Sequence, residues 1–460
     1  MRLTLFGHNL QLPLALLWLA ESMIAIVSCH IAALVAPVGW PSSTLWILSF
    51  VYGACIVVAL VSLGLFNHRL RDRLAGIVMR ITIAAVGGSF VAIVVLATWT
   101  SFGRAFNLIA IAATCCWLGL IATRLIGLKL IDEDRFKRRT VVYGTGRNAL
   151  QVAKLRRRSD QRGFKLIGYV SSEGEDVKIP AERILETGAS FKDYMLANGV
   201  DEIVVAMDDR RQSFPQRNLI DCRMAGIEII ELIAFLERET GKVYLDVLNP
   251  SWLIFGAGFR KNGLRAYSER LFDLVASLTL LVCASPVVLL ACVGIKIEDG
   301  PAAPIFYRQK RVGYGGKVFN VLKFRSMRID AERDGEARWA QKNDSRITRV
   351  GSWIRKARID ELPQLFNVFR GEMSFVGPRP ERPEFVARLS ETIPYYQERH
   401  SVKPGITGWA QLCYAYGASE YDAMQKLQYD LYYVKHHDLI FDFLILLQTV
   451  EVILFGKGSR

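Results

Sequence analysis

Residues 274–295 read LVASLTLLVCASPVVLLACVGI, an uncharged run bracketed by Arg270 and Asp273 before it and Lys296 after it. About 20 helical residues cross a hydrocarbon core of about 30 Å, so this run is long enough to span a membrane. A span would carry residues 297–460 to the opposite side from everything before it. Ser285 and Pro286 stand at its centre. Proline removes a backbone donor and clashes with the preceding turn, and a neighbouring serine hydroxyl can satisfy the freed carbonyl, so a helix that kinks and returns is physically available. Basic residues flank both ends, as a hairpin with both ends inside requires. The expectation is therefore a re-entrant helix over 271–296, broken at Ser285 and Pro286.

Further uncharged apolar runs lie upstream at 22–36 (or from 12, if Glu21 is tolerated), 45–66, 81–99 and 105–123. Buried helices of a soluble domain normally keep one polar face, which these lack, so four spans are expected and a cleavable signal peptide is not. Residues 1–130 hold eight Lys/Arg and two Asp/Glu. Arg69, Arg71, Arg73 and Arg80 lie after the second run, and Arg124, Lys129 and Arg135 to Arg139 follow the fourth, whereas loop 37–44 is uncharged. A Lys/Arg excess marks the cytoplasmic side, which puts both ends of a four-span bundle (1–130) inside and starts the remainder in the cytosol.

From Arg139 the pattern becomes that of an α/β domain, expected over 131–260. RTVVYGTGRNALQVAKL (139–155) reads as strand, Gly-rich turn at Gly144 and Gly146, and helix; FKLIGYV (164–170) and EIVVAMD (202–208) read as strands, with helices near 189–198 and 212–225. A Gly-x-Gly-x-x-Ala turn can bring backbone N–H groups against a pyrophosphate. The acidic residue expected about 20 positions on to hold a ribose is not clearly placed, since Ser171 and Ser172 precede Glu173. A Rossmann-like domain with a regulatory or oligomerising role is the favoured reading over dinucleotide binding.

The whole chain has 460 residues, 51% hydrophobic, with a net charge of +14. Such a basic excess suits anionic lipid and phosphorylated ligands. No zinc-finger, homeodomain or RNP pattern accompanies it, so nucleic acid is not an expected partner. Eight cysteines fall mostly inside apolar runs and never as Cys-x-x-Cys, which argues for reduced thiols rather than a disulfide framework or structural zinc. His436 and His437 are adjacent without clustered partners and read as a solvated helix face.

The densest polar text lies in 261–460. A basic, strand-like stretch, IFYRQKRVGYGGKVFNVLKFRSM (305–327), is followed by ITRVGSWIRKARIDELPQLFNVFRGEMSFVGPRPERPE (347–384). Asp360 and Glu361 are adjacent acids at the start of an expected helix, after Arg355, Lys356 and Arg358 and ahead of the turn Pro378–Arg379–Pro380. Adjacent helical positions point about 100° apart, so the two carboxylates suit two different jobs better than a shared-proton dyad. One can be a nucleophile and the other a Mg²⁺ ligand, because Mg²⁺ takes one or two protein carboxylates plus phosphate oxygens. Lys and Arg around such a site are what phosphoryl transfer requires. An isolated Asp-Glu would more often be a solvated helix start; its surroundings favour chemistry.

These residues carry a resemblance. KFRSM (323–327), IDELPQLFNVFRGEMSFVGPRP (359–380), KPGITGWAQ (403–411) and YDLYYVK (429–435), together with the Ser-Pro helix, resemble the catalytic domain of the bacterial polyprenyl-phosphate hexose-1-phosphate transferases, over about 266–455. The upstream segments look like the long form of that family. The resemblance implies a fold of membrane α plus α/β type: a four-helix transmembrane bundle, a Rossmann-like cytosolic domain, and a mixed α/β catalytic domain with a re-entrant helix. It further implies that Asp360 is the nucleophile on a UDP-sugar, that UMP leaves, and that Glu361 holds Mg²⁺. Lys323, Arg325 and Arg379, with Arg311 and Gln364, are the implied substrate-binding residues, and undecaprenyl phosphate is the implied acceptor. The enzyme would then sit in the bacterial inner membrane with its catalytic domain on the cytoplasmic face, acting in exopolysaccharide, capsule or O-antigen initiation. UDP-glucose or UDP-galactose is the first expectation for the donor, and QLCYAYGAS (411–419) is a candidate sugar-reading segment. A terminal apolar run with three acids (438–455) suits a helix at the membrane interface. The bundle and the Rossmann-like domain both offer surfaces for a homodimer. Two other readings stand beside this one: a membrane-anchored NAD-dependent nucleotide-sugar dehydratase or epimerase, and a non-catalytic polysaccharide-export scaffold.

Overall fold

The computed structural model describes residues 2–5, 8–35, 41–63, 65, 74–98, 102–130, 137–155, 163–172, 174–188, 190–209, 214–248, 250, 263–328, 346–414, 417 and 419–455. The chain divides into two compact units, Met1–Leu248 and Asn249–Arg460.

The first unit opens on an antiparallel hairpin, β1 (Arg2–Leu5) and β2 (His8–Gln11). Four helices follow: α1 (Leu12–Val35), α2 (Ser42–Ser62), α3 (Leu74–Ala97) and α4 (Phe102–Leu130). Each contains an apolar stretch of 20 or 22 residues, enough to cross a membrane. Successive helices pack together and α4 returns to α1. Small residues line the seams: Ala25, Ala32, Ala84 and Ala112 are fully buried, while Leu34, Val86 and Phe90 point outward. Larger side chains such as Tyr52, Ile56 and Leu60 are buried beside them, and close packing of this kind holds helices together where the surrounding solvent is lipid. The first helix does include Glu21. It is buried against α4, where Arg124 reaches its carboxylate at 3.0 Å and the Leu65 carbonyl at 3.0 Å. The charge is tolerated because it is paired. Arg69, Arg71, Arg73 and Arg135 lie outside the described residues.

The rest of this unit is a parallel sheet in the order β4-β3-β5-β6, formed by β3 (Arg138–Tyr143), β4 (Phe164–Val170), β5 (Glu202–Val205) and β6 (Glu228–Glu231). Between them run α5 (Arg147–Ala153), α6 (Phe191–Ala197) and α7 (Gln216–Met224), and α8 (Leu232–Thr240) ends the domain. The apolar strands are buried on both faces, as parallel strands must be. One face packs Val141, Ile203 and Val205 on Met195 and Leu219; the other packs Val142 and Val204 on Val152, Phe235 and Leu236. The fourth strand, β6, was not among the expected ones: EIIE is too short and too acidic to stand out from its flanks.

The second unit begins with α9 (Gly263–Asp299), a single 37-residue helix. The expected break at Ser285 and Pro286 is not there; the helix runs through both. Pro286 offers no N–H to the Val282 carbonyl, and the Ser285 hydroxyl donates to that carbonyl instead at 2.7 Å. The proline's missing bond is thus replaced within the same turn. Both flanks of α9 pack on the same domain. Arg270 donates to the carbonyls of Val368 and Phe369 at 2.7 and 2.6 Å, and Asp273 accepts from Ser374 Oγ at 3.0 Å. At the other end Glu298 accepts from the backbone of Arg349 and Val350, both at 2.7 Å.

After α9 come the two-stranded antiparallel ribbon β7 (Phe306–Val312) and β8 (Val318–Phe324), then α10 (Arg349–Lys356), a 3-10 turn at Ile359–Glu361, α11 (Gln364–Arg370), β9 (Ser374–Val376) and α12 (Pro383–Thr392). A second 3-10 turn, Tyr396–Ser401, leads to β10 (Gly405–Thr407), which pairs in parallel with β9, and to α13 (Trp409–Cys413), α14 (Glu420–His436) and α15 (Leu439–Phe455). Val321, Leu365, Val368, Phe375, Tyr433 and Ile445 form the main core. The terminal helix is therefore a core element as well as an apolar surface. Phe441 and Ile445 are buried while Leu439, Ile440 and Phe443 are exposed, and Asp442 accepts from the buried Tyr433 hydroxyl at 2.7 Å. His436 and His437 are half-buried rather than solvated, His436 lying 4.5 Å from the Tyr432 ring.

Candidate active site

The two acids of the IDELPQ stretch sit in a 3-10 turn, not in the first turn of a helix as the sequence suggests; Pro363 separates them from α11. Arg358, just before them, takes a left-handed backbone (φ 59). That conformation is strained for any residue with a Cβ, and it reverses the chain leaving α10 so that both acids turn back onto the ribbon. At about three residues per turn, neighbouring side chains diverge by about 120°, and the two carboxylates do enter different surroundings.

Glu361 Oε1 has three cations around it: Arg358 Nη1 at 3.7 Å, Lys323 Nζ at 3.8 Å and Arg379 Nη1 at 3.9 Å. Burial pushes its pKa up, but Arg379, Lys323 and Arg358 outweigh that and hold Glu361 below the usual carboxylate range. Asp360 is shifted the other way, by burial first and by the Glu361 charge second, with Lys323, Arg355 and Arg358 opposing. Among the described residues its carboxylate makes no hydrogen bond or ion pair, which leaves its oxygens open to a ligand. Two neighbouring acids pushed apart in this way are fitted to separate roles. Lys323 is brought down to about 8 by burial and by Arg379, against Glu361 and Asp360.

Beside the acids, Arg311, Val321, Lys323, Gln364, Arg379, Pro380, Gly405 and Ile406 line a small cleft. Four of the five expected substrate-binding residues are thus in one place: Arg311 from β7, Lys323 from β8, Gln364 from the start of α11 and Arg379 from the turn after β9. Arg311 is fixed by its bond to the Pro380 carbonyl at 2.9 Å and by Gln309, and burial, with Arg379 and Arg382 nearby, pulls it down to about 10. Arg325 is the exception. Its N–H bonds the Ile305 carbonyl at 2.9 Å, in register with the ribbon, but its side chain is not among those that line the cleft. Sequence reading missed Gly405 and Ile406 of the KPGITGWAQ stretch as lining residues, and Asn367 as the side chain that ties α11 to β8. Asn367 Oδ1 accepts from Leu322 N–H at 3.0 Å and its Nδ2 donates to the Asn320 carbonyl at 2.8 Å.

Hard carboxylate oxygens suit Mg²⁺, and the donor set here fits it in the mode in which substrate phosphates and water complete the shell. Among the described residues no group of three or more His, Cys, Asp or Glu gathers to hold a metal by protein ligands alone. Glu361, kept ionised, would hold the ion.

A family model described as "Bacterial sugar transferase" matches residues 264–456. An uncharacterized sugar transferase of Haemophilus influenzae is 30% identical over 362 residues, 74% of each chain. This chain belongs to the bacterial sugar transferases. Among other members, a UDP-N-acetylgalactosamine-undecaprenyl-phosphate N-acetylgalactosaminephosphotransferase of Aeromonas hydrophila is 41% identical over 245 residues, covering 53% of this chain and 56% of that one. The chain thus spans little more than half the length of that relative. A UDP-glucose:undecaprenyl-phosphate glucose-1-phosphate transferase of Xanthomonas campestris pv. campestris is 29% identical over 395 residues, covering 78% and 80%.

In this sugar transferase the Gly-rich turn of the first unit is already engaged from within. Asp208 accepts from the N–H groups of Arg147 and Asn148, both at 2.8 Å, and Glu175 accepts from Thr145 N–H at 2.7 Å and from Asp208 N–H at 2.8 Å. A Cβ on Gly146 would lie 2.2 Å from Asp208 Oδ2, so Gly146 makes room for a carboxylate of the chain itself. The donors that would meet a pyrophosphate bond Asp208 and Glu175.

Proposed function

We propose that this bacterial sugar transferase moves a hexose-1-phosphate from a UDP-sugar to undecaprenyl phosphate at the inner membrane, on its cytoplasmic face, and so initiates a surface polysaccharide. The observation that carries the reading is the pair Asp360 and Glu361, held in different electrostatic states beside a cleft lined by Arg311, Lys323 and Arg379. The relatives' names supply the acceptor, and they divide the sugar between glucose and an N-acetylated hexose.

The chemistry follows from the residues. An Asp360 oxygen attacks the sugar-bearing phosphorus of the donor; a P–O bond forms to the carboxylate, the bond to the bridging oxygen breaks, and UMP leaves with that electron pair. The lipid phosphate then attacks the same phosphorus and releases Asp360, giving undecaprenyl-diphospho-sugar. Arg311, Lys323 and Arg379 bind and orient the charged oxygens, in a half-buried setting where each positive charge acts more strongly than in water. Mg²⁺, held by Glu361, would neutralise charge on the diphosphate when bound. A covalent intermediate lets a soluble donor and a lipid acceptor use one cleft in turn.

Seating at the membrane is supported by α9. Its apolar middle is exposed, with Val282, Leu289 and Leu290 outward, yet both flanks pack on the catalytic domain. Unbroken, α9 in this reading enters the bilayer with its exposed apolar face without crossing it, which keeps both flanks and the domain on one side. In this reading α1–α4 form a four-span bundle, and the parallel sheet is a Rossmann-like domain whose occupied turn favours a regulatory or oligomerising role.

The test is UMP release from a panel of UDP-sugars with undecaprenyl phosphate and Mg²⁺, together with intact mass after incubation with donor alone. Wild type should release UMP and gain a hexose phosphate; Asp360→Asn should do neither. Full turnover in Asp360→Asn would sink the nucleophile. Labelling of a cysteine placed at Lys317 or Glu381 from outside the cell would sink the topology.

A further inference from the structure

The turn Pro378–Arg379–Pro380 presents Arg379 to Glu361 and to the cleft. Two of its three residues are prolines and have no N–H, so carbonyls are the main handles by which the fold can hold it. All three carbonyls are taken. Gly405 N–H donates to Pro378 at 3.0 Å, Arg399 Nη2 to Arg379 at 3.0 Å, and Arg311 Nη1 to Pro380 at 2.9 Å.

Arg399 is the one of these donors that lies outside the cleft lining. It is 5% exposed, pairs with Asp430 of α14 at 2.8 Å and donates to the Tyr396 hydroxyl at 2.7 Å; Asp430 and Tyr396 are also buried. A buried ion pair adds little net stability over apolar packing of the same volume, so its main physical consequence is geometric. The residue that opens the Arg399 turn, Tyr395, has φ 60. With Arg358 it makes the two non-glycine residues of positive φ among the described residues. One precedes the acids and the other precedes the arginine that grips the turn facing them.

We propose that Arg399, anchored by Asp430 and Tyr396, is a positioning residue that holds the Pro378–Pro380 turn by the Arg379 carbonyl, so that the Arg379 guanidinium meets Glu361 and the donor diphosphate. The inference rests on the transferase reading for its substrate, while the geometry it invokes is independent of turnover. Lysine at 399 keeps a cation beside Asp430 but lacks the rigid planar fork whose Nη1 reaches Tyr396 while Nη2 reaches Asp430 and the carbonyl.

The experiment is a double-mutant cycle on the full chain in detergent: wild type, Arg399→Lys, Arg379→Ala and the double variant. A displacement of about 1 Å at a charge-stabilising group costs up to about a hundredfold, so Arg399→Lys should lower kcat/KM by about ten- to a hundredfold. Placed on Arg379→Ala, the same change should cost less than twofold. An equal loss in both backgrounds would overturn the proposal, because a merely structural role does not depend on Arg379. Tyr396→Phe, a milder change, should show a smaller loss of kcat/KM that likewise vanishes on Arg379→Ala, which decides the matter if Arg399→Lys does not fold. A turnover-free arm measures pyrophosphate affinity by calorimetry. Arg399→Lys and Arg379→Ala should weaken it by a similar factor, and unchanged affinity in Arg399→Lys alone would overturn the proposal. Wild type that binds pyrophosphate but releases no UMP from any UDP-sugar would fail the transferase reading, leaving this arm to decide the clamp.

Discussion

Asn367→Ala should destabilise the catalytic unit by several kcal/mol while touching no substrate. The ribbon β7–β8 has only two strands, so the outer edge of β8 exposes backbone groups with no strand beside them. The Asn367 side chain fills that place: it accepts from Leu322 N–H at 3.0 Å, donates to the Asn320 carbonyl at 2.8 Å, and donates again to Glu372 at 2.7 Å. It is fully buried. Glu372 is half-buried and can turn to water, but the two strand groups are left without partners, each at about 1–3 kcal/mol. The expected loss is roughly 2–6 kcal/mol, which for a unit of this size lowers the unfolding midpoint by about 10 °C. Lys323 follows Leu322 directly, so UMP release should also fall at temperatures where the protein is still folded. Tryptophan fluorescence during heating in detergent gives the first quantity and a UMP assay the second. A midpoint within about 1 °C of wild type would refute the idea that Asn367 stands in for a missing strand.

The left-handed Arg358 gives a second test. Arg358→Val should be less stable than Arg358→Gly by roughly 1–2 kcal/mol, because a β-branched side chain suffers most at φ 59; equal unfolding midpoints for the two would show that the backbone there is not strained. Glu202 sets a pH dependence in the first unit. Burial raises its pKa, but Arg238, Thr140 and Arg138 outweigh burial and hold it below its ordinary 4.5. A depressed carboxylate stabilises the fold above its unfolded pKa, and that contribution is lost as pH falls through the folded value. Unfolding midpoints of wild type and Glu202→Gln should therefore differ at pH 7 and converge in acid below pH 4.5; a constant difference down to pH 3 would contradict the ionised Glu202–Arg238 pair.

The apolar runs were legible because their property is local: a stretch of 20 uncharged residues must find a lipid-like or protein interior wherever it sits, and α1 to α4 and α9 all form where those runs lie. The candidate acids were legible from residue type and neighbours, since Asp360 and Glu361 stand among cations already in the linear text. Their separate states were not. Glu361 is lowered chiefly by Arg379, which is 18 positions away, and by Lys323, which is 38 away, so a window around the pair contains only Arg358 of the three cations responsible. Arg325 shares a motif with Lys323 but is not among the residues that line the cleft.

Ser285 and Pro286 mark the limit on the membrane side. The residues named the difficulty, a carbonyl without its donor, and the helix answered it within one turn through the serine hydroxyl. The Gly-rich turn is a similar case. Gly144 and Gly146 announced a backbone made for an anion, but the anions are Asp208 and Glu175, brought from the ends of other strands and loops. Sequence alone determined which segments are apolar, where the chain must turn, and which side chains carry chemistry, because these depend on composition and spacing within a few residues. Tertiary structure alone decided which charges meet, which arginine reaches the cleft and which carbonyls of Pro378–Arg379–Pro380 are held, because electrostatic and hydrogen-bond energies depend on distance in space and fall away within a few ångströms.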